Sequence, residues 1–210
     1  MISFDNIRID YQEETLLNNF SAFIKKGEKV ALRGASGSGK STLLSLVMGF
    51  ETPYSGQISV DGMHINKNNI TKIRQMIAFV PQEFACLGAG TVLESIQSVF
   101  NLNANKSVSP DINQIYSLMK ELMLEDKILN SEFAICSGGE KQRIGILIAM
   151  LMKKQILLMD EPTSALDARA CKAVADLVLN NPEQTVIAIT HDDDFASKFD
   201  RIVETRHANS

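Results

Sequence analysis

The chain has 210 residues, a length that suits one domain or one domain carrying an inserted subdomain. With 45% hydrophobic and 22% charged residues it can bury a sizeable core. Its formal net charge of −4 argues against nucleic acid as the main partner, because such binding rests on Lys and Arg neutralising phosphates.

Three further classes are disfavoured by the same reading. The longest strongly apolar run, Ile144–Met152, stops at Lys153. That is short of the about 20 apolar residues a membrane-spanning helix needs. The start, Met-Ile-Ser-Phe-Asp, has no basic stretch leading into an apolar one, so no secretory signal is expected. Cys86, Cys136 and Cys171 are far apart and show no metal-ligand spacing, which suits reduced thiols in the cytoplasm.

Along the chain, Ile2–Tyr11 alternates apolar and polar residues with one slip, predicting strand on a half-exposed sheet. Phe20–Ile24 and Lys29–Leu32 read as strands around the turn Lys25-Lys26-Gly27-Glu28, and Gln57–Val60 reads as another between Gly-containing turns. The short apolar runs Val30–Leu32, Ile77–Val80, Ile156–Met159 and Val186–Ile189 predict buried parallel strands, apolar on both faces. Polar residues follow three of them closely: Gln82, Asp160-Glu161 and His191. Ligands of open α/β sheets sit at the carboxyl ends of the strands, so these residues should share a site. Between 84 and 152 the period turns helical: Val92, Ile96, Val99 and Phe100 share one face, as do Ile112, Ile115, Met119 and Leu122. This stretch predicts a helical subdomain (84–152) inserted into an α/β core made of 1–83 and 153–210.

Gly34-Ala35-Ser36-Gly37-Ser38-Gly39-Lys40-Ser41 fits G-x-x-x-x-G-K-[ST] between a predicted strand and a helix opening at Thr42. Glycines let the backbone N–H groups approach phosphate oxygens, and a helix N-terminus adds partial positive charge. Lys40 can reach the β- and γ-phosphates, and the Ser41 hydroxyl can ligate Mg²⁺. Asp160 and Glu161 end an apolar strand, a place from which Asp160 would hold Mg²⁺ and Glu161 would act as general base. Taken alone they are also an acidic turn closed by Pro162. Ser137-Gly138-Gly139-Glu140 is a capping box ahead of a helix over Lys141–Met152, and its glycines leave N–H groups bare for an anion.

In this order, the phosphate loop, Gln82, Ser137-Gly-Gly-Glu-Lys-Gln-Arg143, Asp160-Glu161-Pro162, Ser164-Ala-Leu-Asp167 and His191 resemble the ATP-binding subunits of ABC transporters. The similarity runs over essentially the whole chain and leans toward small bacterial ATPases with a separate membrane subunit. It implies a P-loop NTPase core with a mainly parallel sheet, an N-terminal antiparallel β subdomain and an inserted α-helical subdomain. It implies that Tyr11 stacks on adenine, that Gln82 touches Mg²⁺ or the attacking water, and that His191 contacts the γ-phosphate. Ser137, Gly139 and Asp167 would serve across a head-to-tail homodimer closed by MgATP. The partner would be a transmembrane permease, with the ATPase held peripherally on the cytoplasmic face of the membrane.

Two departures stand out: Cys136 where the family has Leu, and Glu140 where it has Gln. A carboxylate there would repel phosphate unless it turned back to cap its helix. The alternatives are a soluble ABC-type ATPase of DNA repair or translation, and a nucleotide-binding module without turnover. No sustained heptads and only one phosphate loop are present, against the first. Lys40, Asp160, Glu161 and His191 are intact, against the second.

Overall fold

In a computed structural model, which describes residues 1–11, 14–50, 54–83, 90–102, 105 and 109–205, the four buried apolar runs lie side by side in one sheet. Only the backbone is described at Tyr11 and Glu14. The elements in chain order are β1 (Ile2–Tyr11), β2 (Glu14–Ile24), β3 (Lys29–Arg33), α1 (Lys40–Val47), β4 (Tyr54–Val60), β5 (Met63–His64), α2 (Ile70–Gln75) and β6 (Ile77–Val80). Then come α3 (Val92–Asn101), α4 (Ile112–Glu121), α5 (Gly138–Leu151), β7 (Ile156–Asp160), α6 (Ala168–Leu179), β8 (Thr185–Ile189), α7 (Asp193–Ala196) and β9 (Arg201–Glu204).

The parallel sheet has the order β6-β7-β8-β3-β9. Its strands alternate between two cores. Ile156 and Leu158 of β7 and Ile187 and Ile189 of β8 face a core shared with α1 and the antiparallel strands. Leu157, Met159, Val186 and Ala188 face a second core filled from α3 to α6. Side chains that alternate across a covered sheet leave no room for polar residues, which is why these strands read as unbroken apolar runs. The parallel sheet is one strand wider than the sequence predicts: β9 pairs with β3 at the edge.

The antiparallel sheet has the order β2-β1-β4-β5. The slip in the alternation of β1 is a β-bulge. Asn6 takes φ 51°, and the pairing with both β2 and β4 shifts there, so that Phe4 and Ile7 are both buried. Across from it Gly56 adopts φ 92°, where a Cβ would lie 2.4 Å from the Asn6 carbonyl oxygen. β2 begins at Glu14, earlier than the predicted Phe20, and α6 and α2 are helices that the apolar pattern did not single out.

Candidate active site

The phosphate loop leaves β3 and enters α1, as the motif requires. Gly37 and Gly39 hold φ 78° and 80°, a region costly for residues with a Cβ. No side chain caps α1, so the donors of its first turn stay open toward the loop. The Lys40 ammonium is buried and donates to the carbonyl oxygens of Gly34 (2.9 Å) and Ala35 (2.8 Å). Burial pushes its pKa down, and the charges of Glu161 and Asp160 oppose that fall. A cation is thereby held inside the loop and facing the acids of β7.

Those acids end β7 as expected. Asp160 is 8% exposed, and its Oδ1 has no hydrogen-bond partner among the described residues. Burial is the first cause of a raised Asp160 pKa; Glu161 adds to it, while Ser41 and Lys40 act against it. Glu161 holds φ 47°, uncommon for a residue with a side chain. Its N–H donates to Ile189 O (3.0 Å), and the Ser164 hydroxyl donates to its carbonyl (3.1 Å). The strained backbone is thus tied to β8 and to the following turn. The carboxylate receives Gln82 Nε2 at 3.2 Å on one oxygen and lies 3.5 Å from His191 Nε2 on the other. The carboxyl ends of β3, β6, β7 and β8 therefore bring Lys40, Gln82, Asp160, Glu161 and His191 into one site.

Ser137 to Glu140 and Asp167 lie in a second place. Ser137 caps α5, and Glu140 completes the box: Ser137 N and Oγ donate to Glu140 Oε2 at 2.8 and 2.7 Å. These bonds hold the Glu140 pKa down, so the carboxylate stays ionised and folded back on its own helix. Gly139 lies against the loop before α6, where a Cβ would come 2.8 Å from Ala165 O. Asp167 caps α6 by accepting from Ala170 N at 2.8 Å. Ser137, Gly139 and Asp167 line one open hollow of about 490 Å³. Among the described residues, no hydrogen bond or ion pair links 137–140 to 34–42. Cys136 is packed in the core over the parallel sheet, and burial raises its thiol pKa. The Tyr11 side chain lies outside the described residues, as does Cys86.

Two long-range contacts beside the site left no trace in the motif reading. Arg33, at the end of β3, forms a 2.6 Å ion pair with Asp193, two residues past His191. Thr205, just after β9, touches Ser38 inside the loop.

Residues 17–164, more than half of the chain, match the ABC transporter family. The chain belongs to the ABC transporter family. It is an ATPase cassette of that family, with the expected α/β fold. It is 34% identical to the lipoprotein-releasing system ATP-binding protein LolD 1 of Chlorobium chlorochromatii, over 96% of this chain and 86% of that one. It is 36% identical to the energy-coupling factor transporter ATP-binding protein EcfA1 of Ligilactobacillus salivarius, over 97% of this chain and 73% of that one. In three dimensions the cassette is similar to a dimeric ATP-binding cassette in a post-hydrolysis state with ADP and Pi bound. That likeness has a TM-score of 0.80 and 27% identity, and covers 99% and 97% of the two chains.

Proposed function

We propose that this cassette hydrolyses ATP at a site shared between two copies arranged head to tail, and that closure of the pair drives a separate transmembrane subunit. The observation that carries the reading is the split arrangement. The phosphate loop meets Asp160 and Glu161 at one place, whereas the capped start of α5 presents Ser137 to Gly139 at another.

On one copy, Gly34, Ala35, Ser36, Gly37, Ser38, Gly39 and Thr42 would cradle the phosphates with backbone N–H groups, and Lys40 would supply the charge. Tyr11 would pack on adenine. Glu161, held from both sides by Gln82 and His191, would take the proton of the attacking water. His191 would then be placed to contact the γ-phosphate. From the second copy, Ser137, Gly138 and Gly139 would close over the γ-phosphate, with Asp167 at the interface. Glu140 would keep its charge turned to its own helix cap. Residues 84–152 would carry the motion to the membrane subunit.

The donor set also suits Mg²⁺. The orphaned Oδ1 of buried Asp160 offers a hard oxygen, and Ser41 and Gln82 offer two more. Among the described residues no group of three or more His, Cys, Asp or Glu could hold a metal alone, so phosphate oxygens would complete the shell. When bound, Mg²⁺ neutralises charge on those oxygens. A separate membrane subunit is supported by the likeness to relatives named ATP-binding proteins.

Glu161→Gln tests the reading. Its ATPase rate should fall by about 10²–10⁴ while ATP still binds. With MgATP the variant should elute as a dimer. Wild-type turnover would refute Glu161 as the base, and elution only as a monomer would refute the shared site.

A further inference from the structure

The centre of the phosphate loop carries one side chain between two glycines in the left-handed region, Gly37 (φ 78°) and Gly39 (φ 80°). That side chain, Ser38, is 0% exposed. Its hydroxyl lies 2.7 Å from Thr205 Oγ1, across 167 residues of chain. Thr205 is itself buried, at 4% exposure, directly after edge strand β9. Its N–H and its hydroxyl both donate to Arg33 O, at 2.7 and 3.1 Å. The Ser38 and Thr205 hydroxyls therefore bond to each other, and Thr205 also reaches the Arg33 carbonyl. The contacts run from Ser38 through Thr205 to the last residue of β3. Gly34 is pressed on the same residue: a Cβ there would come 2.2 Å from Thr205 Oγ1 and 2.5 Å from Thr205 O.

We propose that Thr205 is a positioning residue for ATP: its hydroxyl anchors the phosphate loop at both its entry and its centre, so that the loop's N–H groups are aimed before nucleotide arrives. This rests on the reading of Gly34–Ser41 as the phosphate site. The physical case is one of competing resistances. Glycines offer little backbone resistance to turning, so the flanks of Ser38 cannot hold it in place. The hydroxyl of Thr205 can, because a buried hydroxyl without a hydrogen-bond partner is costly. Remove that partner and Ser38 escapes by rotating the loop out of its binding geometry. Preorganised donors lose most of their worth when they must be reoriented during binding.

The test uses the full chain, with ATP and Mg²⁺ for turnover and a fluorescent N-methylanthraniloyl ATP for affinity. Measurements are made well below the Tm of every variant. Thr205→Val keeps the shape and loses the hydroxyl; the probe should bind about fivefold to tenfold more weakly, the worth of about one buried hydrogen bond. Thr205→Ser restores the hydroxyl and should stay within about twofold of wild type. Ser38→Ala combined with Thr205→Val should bind no worse than Thr205→Val alone, because the two hydroxyls act as one unit. Unchanged affinity in Thr205→Val, whatever its Tm, overturns the proposal. So does a Thr205→Ser as weak as the valine variant, since that would assign the effect to packing. If Thr205→Val does not fold, Ser38→Ala decides, and wild-type affinity in that variant overturns the proposal. Failure of the wild type itself to bind or hydrolyse ATP would instead remove the site reading, and this inference with it.

Discussion

Replacing Asp160 with Asn should stabilise the nucleotide-free protein while destroying its activity. The substitution keeps the shape of the side chain and removes one buried charge. Asp160 is 8% exposed, its Oδ1 has no partner among the described residues, and a second carboxylate follows it in the chain. An unsatisfied buried polar group costs about 1–3 kcal/mol, more when charged. An Asn would still leave an acceptor unpaired, so a gain of about 1–2 kcal/mol is reasonable. For a chain of this length each kcal/mol moves Tm by about 2–4 °C, which gives a rise of about 2–8 °C.

The pH dependence has a definite sign. The folded pKa of Asp160 lies above the ordinary 3.8. Between those two values the folded protein binds more protons than the unfolded one, so the penalty sets in as pH rises and vanishes as pH falls toward 3.8. The Tm advantage of the variant should therefore be largest near neutrality and shrink in acid. Adding MgATP should reverse the order, because the wild type, with all its Mg²⁺ ligands, gains more from bound ligand. Differential scanning calorimetry with chelator, then with MgATP, across a pH series, measures all three. A chelated variant that melts at or below the wild type, or an advantage that does not change with pH, would refute the picture of a carboxylate whose burial outweighs the help of Ser41 and Lys40.

Two other substitutions probe the second half of the site. Gly139→Ala puts a Cβ 2.8 Å from Ala165 O, so the turn before α6 must give way. Since Ala favours helix over Gly by about 1 kcal/mol, Tm should hold within a few degrees. The ATPase rate should still drop by more than about tenfold, because a misplaced catalytic contact is costly even at small displacement; a wild-type rate would count against Gly139 at the nucleotide. Ser137→Ala removes the cap of α5 and should lower Tm by about 2–4 °C at neutral pH. The Glu140 pKa is depressed below 4.5 by its bonds to Ser137, so the stability of the box is present above 4.5 and lost as pH falls through the folded value. The gap between variant and wild type should close in acid, and a constant gap in a thermal melt series would argue that Glu140 takes no part.

Much of this protein is written locally. The phosphate loop, the four strands buried on both faces and the capping box each depend on residues a few positions apart, so spacing alone reveals them. Even the slip in β1 is visible, though only the pairing shows that Asn6 forms a bulge there. The first half of β2 is a different case. Glu14, Thr15, Asn18 and Asn19 carry no apolar alternation, and the segment is strand because β1 supplies its hydrogen bonds. β9 is similar: its residues are mostly exposed, and its place in the sheet comes from β3.

The loop at Gly34–Ser41, with Asp160 and Glu161, was determined by sequence because its requirements are short-range: glycines for backbone freedom and a lysine at fixed spacing. Only the tertiary structure decided what holds that loop and aims those acids. Glu161 is gripped by Gln82 and His191, and Ser38 by a threonine 167 residues away. A hydrogen bond needs only one donor and one acceptor brought to about 3 Å, and when folding brings them from opposite ends of the chain neither leaves a pattern around it.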